Sequence, residues 1–259
     1  MNSKVDRFRS LHVPGDPLML YNIWDAGSAK AVTGAGARAI ATGSYGVAES
    51  QGFKDGEGFP LDAVLANLER ILRVTDLPVS IDMESGYGET PAEVGESVAR
   101  AVVSGAAGIN LEDRMPGMDA LTTVDRQSLR IRAAADTGVF VNARCDAFRG
   151  RAAEDHGPAL VEQVLERARA YSDAGASGLF VPFTTNRASI ASICEASPIP
   201  VNIIWTPASA GGFSDRAELA ELGVARISHG HRPWAAAMAW LGDEAARVFA
   251  GEAPTYDAA

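Results

Sequence analysis

Carboxylates recur in this chain at intervals suited to holding a divalent cation. Asp82 and Glu84 stand two residues apart in SIDMESGYG, and Glu112 follows in INLEDR. Residues two apart on a strand face the same side, so Asp82 and Glu84 share a surface if this stretch is extended. A third carboxylate at the same place adds repulsion that a cation or shared protons must relieve. Mg2+ suits that need, since it binds one or two carboxylates directly and keeps several waters; Mn2+ is an alternative ion. Taken singly, each of these acids could instead cap a helix or face solvent beside a loop. Arg144 lies in VNARCDAF, where Asn142, Arg144 and Asp146 share one face if the strand persists. A guanidinium there can clamp a substrate carboxylate and steady a developing oxyanion, or it can neutralise the acids. Thr42, Gly43 and Ser44 offer a hydroxyl and accessible backbone N–H groups, which fit either an anion site or a tight turn.

Other chemistry is thinner. His229 and His231 flank Gly230 in SHGHRPW, but no third ligand has a zinc-site spacing, so loop packing or hydrogen bonding is the favoured role. No Ser-His-Asp or Cys-His arrangement can be assembled from motifs. Cys145 points away from the face of Arg144 by strand alternation and reads as a buried structural thiol. Together with Cys194 it fits no metal, redox or disulfide pattern.

These side chains need elements that bring them together. Short apolar runs alternate with longer amphipathic stretches along the whole chain. Strands are expected near 19–24, 39–42, 79–83, 108–112, 140–144, 178–181, 201–205 and 225–228. Helices are expected, for example, over 61–74, 91–104, 158–174, 187–196 and 215–222. Thr90, Pro91 and Glu93 spell a capping box with proline in the first turn. Gly105, Gly175 and Gly223 each follow a helical stretch and precede a strand, where glycine accepts the left-handed turn that ends a helix. Eight strands interleaved with helices imply a single (β/α)8 barrel over 1–259. An open doubly wound sheet is the alternative, weakened by the lack of a glycine-rich nucleotide fingerprint or P-loop after the first strand. In a barrel the C-terminal strand ends share one mouth. Asp25, Thr42 to Ser44, Asp82 with Glu84, Glu112 with Asp113, Asn142 with Arg144, and Asn202 fall at such ends.

The 259 residues, 47% hydrophobic, suit one barrel with an ample core. A net charge of −10 without runs of Lys or Arg argues against nucleic acid or an anionic membrane as the main partner. The opening MNSKVDRFRSLHVPGDP lacks the apolar core of a signal peptide, and no window approaches a membrane span. A cytoplasmic setting is therefore expected.

The segments YNIWDAGSA (21–29), IATGSYGVAESQGFKDGE (40–57), IDMESGYG (81–88), INLEDR (109–114), VNARCDAF (141–148), GLFVPF (178–183) and PVNI (200–203) are each short. In their order and spacing the chain resembles the isocitrate lyase/phosphoenolpyruvate mutase superfamily over nearly its whole length. The resemblance implies a barrel that exchanges its last helix with a partner, a homo-oligomer (dimer or dimer of dimers, a tetramer) and a small oxo- or hydroxy-acid substrate. It implies Mg2+ held most directly by Asp82, with Glu84 and Glu112 acting through waters; Glu84 stands where Asp is more common. By the same resemblance Thr42, Gly43 and Ser44 match the loop that binds the 2-oxo acid. Asp55 matches a lid acid near substrate, Arg144 the substrate-binding arginine, and Asn202 a polar position that helps bind substrate in the lyases.

Departures from the pattern bear on the reaction. Lyases of isocitrate or methylisocitrate carry a Lys-Lys/Arg-Cys-Gly-His motif in the gating loop after strand four. Here 113–127 is the expected gating loop, and 114–127 reads RMPGMDALTTVDRQ, without Cys, Lys or His. Phosphoenolpyruvate mutases use a loop lysine and a nearby asparagine, also absent, and Pro182 stands where these subfamilies often have Glu or His. The first expectation is a Mg2+-dependent lyase or hydrolase that cleaves a C–C bond in a small 2-oxo- or 2-hydroxy-dicarboxylate. The reaction would pass through the metal-stabilised enolate of a 2-oxo acid. Tyr45, Asp55, Thr122 and Thr123 are the acid or base candidates. A C–P phosphonomutase or phosphonopyruvate hydrolase is the alternative, weakened by the missing loop cation. A non-catalytic 2-oxo-acid-binding barrel is the third. Trp205, His229, His231 and Trp234 could shape an aromatic pocket, although core or interface burial suits the tryptophans better.

Overall fold

The structure, a computed structural model, describes residues 3–258. Eight strands form in order: β1 (Leu18–Leu20), β2 (Ile40–Ala41), β3 (Val79–Asp82), β4 (Gly108–Glu112), β5 (Phe140–Arg144), β6 (Gly178–Val181), β7 (Val201–Ile204) and β8 (Arg226–Ser228). Every pairing is parallel, in the order β1-β8-β7-β6-β5-β4-β3-β2. A parallel bridge between Ile23 and Thr42 joins the two ends of that order, with the Ile23 N–H on Ala41 O (2.9 Å) and the Gly43 N–H on Ile23 O (3.2 Å). The sheet therefore closes on itself as the expected barrel, and the open doubly wound alternative falls.

The helices are α1 (Ser3–Ser10), α2 (Ala26–Gly34), α3 (Ser44–Ser50), α4 (Leu61–Leu72), α5 (Pro91–Val103), α6 (Val124–Ala135), α7 (Pro158–Asp173), α8 (Arg187–Ala196), α9 (Arg216–Glu221) and α10 (Arg232–Phe249). In α4, Val64, Leu65, Leu68 and Ile71 are buried, the one-sided spacing of a helix lying on a sheet. The capping box before α5 forms in full, the Thr90 hydroxyl accepting from the Glu93 N–H while the Glu93 side chain accepts from the Thr90 N–H. Gly105 (φ +102) and Gly175 (φ +97) end their helices in the left-handed conformation. No helix among the described residues is long and apolar enough to cross a membrane.

The first strand is shorter than its apolar pattern, and Asn22 explains why. Its side-chain N–H2 donates to Thr42 O (2.9 Å), and its oxygen accepts from the N–H groups of His229 (2.8 Å) and Gly230 (2.9 Å). A polar side chain thus ties the first, second and eighth strand ends at the point where main-chain pairing with β8 stops.

The N-terminal helix brings His12 against the lower end of the barrel. The ring is 7% exposed, stacks on Phe140 at 4.3 Å between centroids, and shares one hydrogen bond with Phe8 O through Nδ1 (2.8 Å), while Nε2 has no partner. Burial first, then the charge of Arg226, pushes its pKa down from 6.5 to about 3. The unfolded imidazole takes a proton as pH drops through about 6.5, whereas the folded one does so only near 3. Its contribution to stability is therefore complete above about 6.5 and is lost as pH falls towards 3. Wild type should lose up to about 1.4 kcal/mol per pH unit more than His12→Asn between pH 6 and 4. Denaturant titrations across that range check it, and parallel pH profiles would contradict it.

Candidate active site

Beyond the C-terminal ends of the strands lies an open cleft of about 170 Å³. Its acidic side is built by β3. Asp82 lines the cleft, one carboxylate oxygen accepting from the Ser44 N–H (3.3 Å) and the other from the Glu84 N–H (3.2 Å). The Asp82 N–H donates in turn to the Thr42 hydroxyl (3.0 Å). Thr42, Gly43 and Ser44 are thus assembled around Asp82 as a turn that starts α3. Ser44, Gly43, Tyr45 and Asp55 all face the cleft, and the Tyr45 ring meets His231 edge-on at 5.5 Å.

Glu84 sits behind Asp82. The strand ends at Asp82, and Glu84 adopts φ +50, so its position follows from a sharp turn rather than from strand alternation. Its carboxylate accepts from the Glu57 N–H (2.6 Å) and from the Tyr87 hydroxyl (3.4 Å). Glu57, itself at φ +60, accepts from the Ser85 hydroxyl (2.5 Å) and the Tyr87 N–H (3.0 Å), fastening the Asp55 segment to the β3 loop. Burial, reinforced by Asp82 and Asp55, raises the Glu84 pKa to about 8. Burial also raises Glu112 to about 7 against the pull of Arg144. It raises Asp82 in the same direction, with Arg144 opposing and Asp55 adding. In all three burial is the largest cause, and neighbouring carboxylates add to it.

Arg144 provides the opposite side. Its guanidinium grips Asp146 with two parallel bonds (2.6 and 2.9 Å) and pairs with Glu112 at 2.6 Å. Burial opposes the cation, but Glu112 and Asp146 overrule it and raise the pKa further. Asp146 is wholly buried and lies beyond the end of β5, so the chain folds it back on the arginine two residues earlier. Asp113 points behind the mouth, taking bonds from Arg167 (3.0 Å), Tyr171 (2.9 Å) and the Asp146 N–H (3.0 Å). Phe180, Pro182, Phe183 and Ile204 add apolar surface to the cleft, and Asn22, Asn110, Ser228 and His231 also line it.

The candidates do not all converge. Asn202 is not among the residues that line the cleft, although its register partner Phe180 is. It shares a strand face with Ile204 two residues above it, is 1% exposed, and accepts from the Ser228 hydroxyl (3.2 Å). Thr122 and Thr123 are corrected as acid or base candidates. Thr122 is buried at the root of its loop, its N–H on Asp113 O and its carbonyl on Arg167, and Thr123 caps α6. No residue of 114–127 lines the cleft; Arg114 instead pairs with Leu121 in an antiparallel bridge. His229 is held by Leu20 O (3.1 Å) and its own backbone bond to Asn22, and Cys145 is fully buried. Among the described residues no three His, Cys, Asp or Glu side chains close around a point that could hold an ion. Of Asp82, Glu84 and Glu112, only Asp82 lines the cleft; Glu84 is tied to Glu57 and Tyr87, and Glu112 to Arg144.

Several site residues gave little sign in the sequence. In sequence Asn22 is only a polar residue within an apolar run. Asp146 was legible as the residue two after Arg144. Glu57 acts through a left-handed backbone that no residue pattern announced. Arg149, which lines the cleft, and Phe183, at φ +66, follow their strands in segments with no periodic signal.

The chain matches the phosphoenolpyruvate phosphomutase family over residues 8–249. It is 31% identical to the 2-methylisocitrate lyase of Escherichia coli (strain K12) over 214 residues, 74% of this chain and 70% of that enzyme. A crystal structure from Burkholderia cenocepacia J2315, provisionally named a phosphonomutase, superposes with a TM-score of 0.90 at 48% identity, covering 96% of this chain and 99% of that one. A phosphonopyruvate hydrolase solved with oxalate and Mg2+ has the same fold, with a TM-score of 0.83 at 20% identity over 96% of this chain and 87% of that one. The barrel and these likenesses together show that the chain belongs to the phosphoenolpyruvate phosphomutase family, within the superfamily of isocitrate lyases and phosphoenolpyruvate mutases.

Proposed function

We propose that the protein is a Mg2+-dependent enzyme that cleaves a C–C bond in a small 2-oxo- or 2-hydroxy-dicarboxylate. The carrying observation is Asp82, gripped by two backbone N–H groups and set in the same cleft as Arg144. The raised pKa values of Asp82, Glu84 and Glu112 support a fit to a hard divalent ion, because a cation would relieve the excess negative charge. Asp82 would hold Mg2+ directly, with Glu84 and Glu112 reaching it through waters. When bound, Mg2+ would supply electrostatic stabilisation to the enolate oxygen of a 2-oxo acid.

The chain's own groups do the rest. Arg144 binds the substrate carboxylate, held in place by its two bonds to Asp146. Thr42, Gly43 and Ser44, assembled around Asp82, would form the loop that takes the 2-oxo acid. Tyr45 and Asp55 face the cleft and are positioned to hold or move a proton. The segment 113–127 would act as the gating loop, and the exposed Met238, Trp240, Leu241 and Phe249 of α10 would be covered by exchange with a partner in a dimer or dimer of dimers.

The 2-methylisocitrate lyase likeness supports C–C cleavage, while the Burkholderia chain and the phosphonopyruvate hydrolase favour C–P chemistry as the second reading. Turnover of a panel of oxo- and hydroxy-dicarboxylates, followed by formation of a new 2-oxo acid, tests the first. Phosphorus NMR on phosphonopyruvate separates the two, since only C–P chemistry gives a new phosphorus resonance.

A further inference from the structure

Arg149 is a second guanidinium in the cleft, and its surroundings leave it charge to spare. Asp146 is its ion partner at 3.3 Å, but that carboxylate already takes both parallel bonds from Arg144 and has Arg114 at 4.0 Å. Three guanidiniums therefore share one wholly buried carboxylate; Arg144 also pairs directly with Glu112 at 2.6 Å, whereas Glu112 acts on Arg149 only through a weaker electrostatic attraction. The Arg149 side chain remains 45% exposed and lines the cleft.

Phe183 fixes where that charge can act. Its ring carries both Arg144 and Arg149, each at 5.6 Å from the centroid, and it stands at φ +66, a conformation a bulky residue adopts only when its surroundings enforce it. The aromatic face restricts both guanidiniums, so less freedom is lost when an anion docks. Phe180, Pro182 and Ile204 add apolar surface to the same cleft, and Arg144 and Arg149 are the arginines that line it.

We propose that Arg149 binds the second anionic group of the substrate, a carboxylate or a phosphonate, while Arg144 takes the carboxylate of the 2-oxo acid. The substrate is then dianionic, with its link between the acid groups lying along Phe180, Pro182 and Ile204. This rests on the 2-oxo acid reading of the site and assigns it a specificity-determining residue. A guanidinium pairing of this kind contributes about ten- to a hundredfold in affinity.

Calorimetry with Mg2+ and four probes tests it: oxalate, 2-oxovalerate, 2-oxoglutarate and phosphonopyruvate. Wild type should bind 2-oxoglutarate or phosphonopyruvate at least about tenfold more tightly than 2-oxovalerate, and the stronger of the two identifies the anion. In Arg149→Gln that preference should vanish, with oxalate and 2-oxovalerate affinities unchanged. If Arg149 only props Asp146 and Arg144, the substitution weakens all four probes together, which overturns the proposal. A preference that survives in Arg149→Gln, or is missing from wild type, overturns it as well. Failure of oxalate and 2-oxovalerate to bind wild type at all contradicts the underlying 2-oxo acid reading instead.

Discussion

Asp82→Ala is expected to abolish Mg2+-dependent turnover and to weaken Mg2+ binding by about a hundredfold or more. The direct ligand is lost, whereas removing groups that act around a metal typically costs only about ten- to a hundredfold. The fold should not suffer. The Asp82 side chain bonds only to backbone N–H groups, and burial and Asp55 already disfavour its charge. Melting temperature without metal should therefore stay level or rise, and the stabilisation that Mg2+ gives the wild type should disappear. Mg2+ titrations followed by thermal melting read both effects. A variant that still gains stability from Mg2+ as wild type does would remove Asp82 from the centre of the site.

Arg144→Ala should act on both function and stability. Asp146 is wholly buried, and two of its bonds come from Arg144; removing one partner of a buried pair costs about 3–5 kcal/mol. Part of that cost should be offset, because Glu112 also loses its partner at 2.6 Å and, with a pKa already near 7, can take a proton. Substrate affinity should fall together with turnover, since the carboxylate clamp is gone. Arg144→Lys separates the two effects. A lysine keeps the charge and much of the stability but cannot make two parallel bonds to Asp146, so folding should largely recover while turnover stays low. Denaturant midpoints with steady-state kinetics on the two variants check this, and full activity in Arg144→Lys would contradict the clamp.

The barrel was legible because its signals are local. Apolar runs of strand length, the Thr90–Glu93 box and the glycines that close helices each follow from a few neighbouring residues, and all pointed to the same architecture. The acidic side of the cleft was legible for the same reason, since strand ends in a barrel share one mouth. What the sequence did not carry is the backbone beyond those ends. Glu57, Glu84, Tyr87 and Phe183 all take positive φ, and side chains in such turns no longer obey the alternation that put Asp82 and Glu84 on one face. Asn202 keeps to the alternation, and it meets the cleft through Ser228, which donates to it and lines the cleft. Thr122 and Thr123 were misplaced because a loop hydroxyl looks free in sequence, and only the fold shows that one is buried and the other caps a helix.

The most direct test of the metal-assisted 2-oxo acid site is the affinity of oxalate, whose two adjacent carboxylates resemble the enolate of pyruvate, measured calorimetrically with Mg2+ and again with the metal chelated. Binding should be at least about tenfold tighter with Mg2+. Equal affinity in the two conditions would contradict a site in which Asp82 holds the ion and the ion holds the substrate.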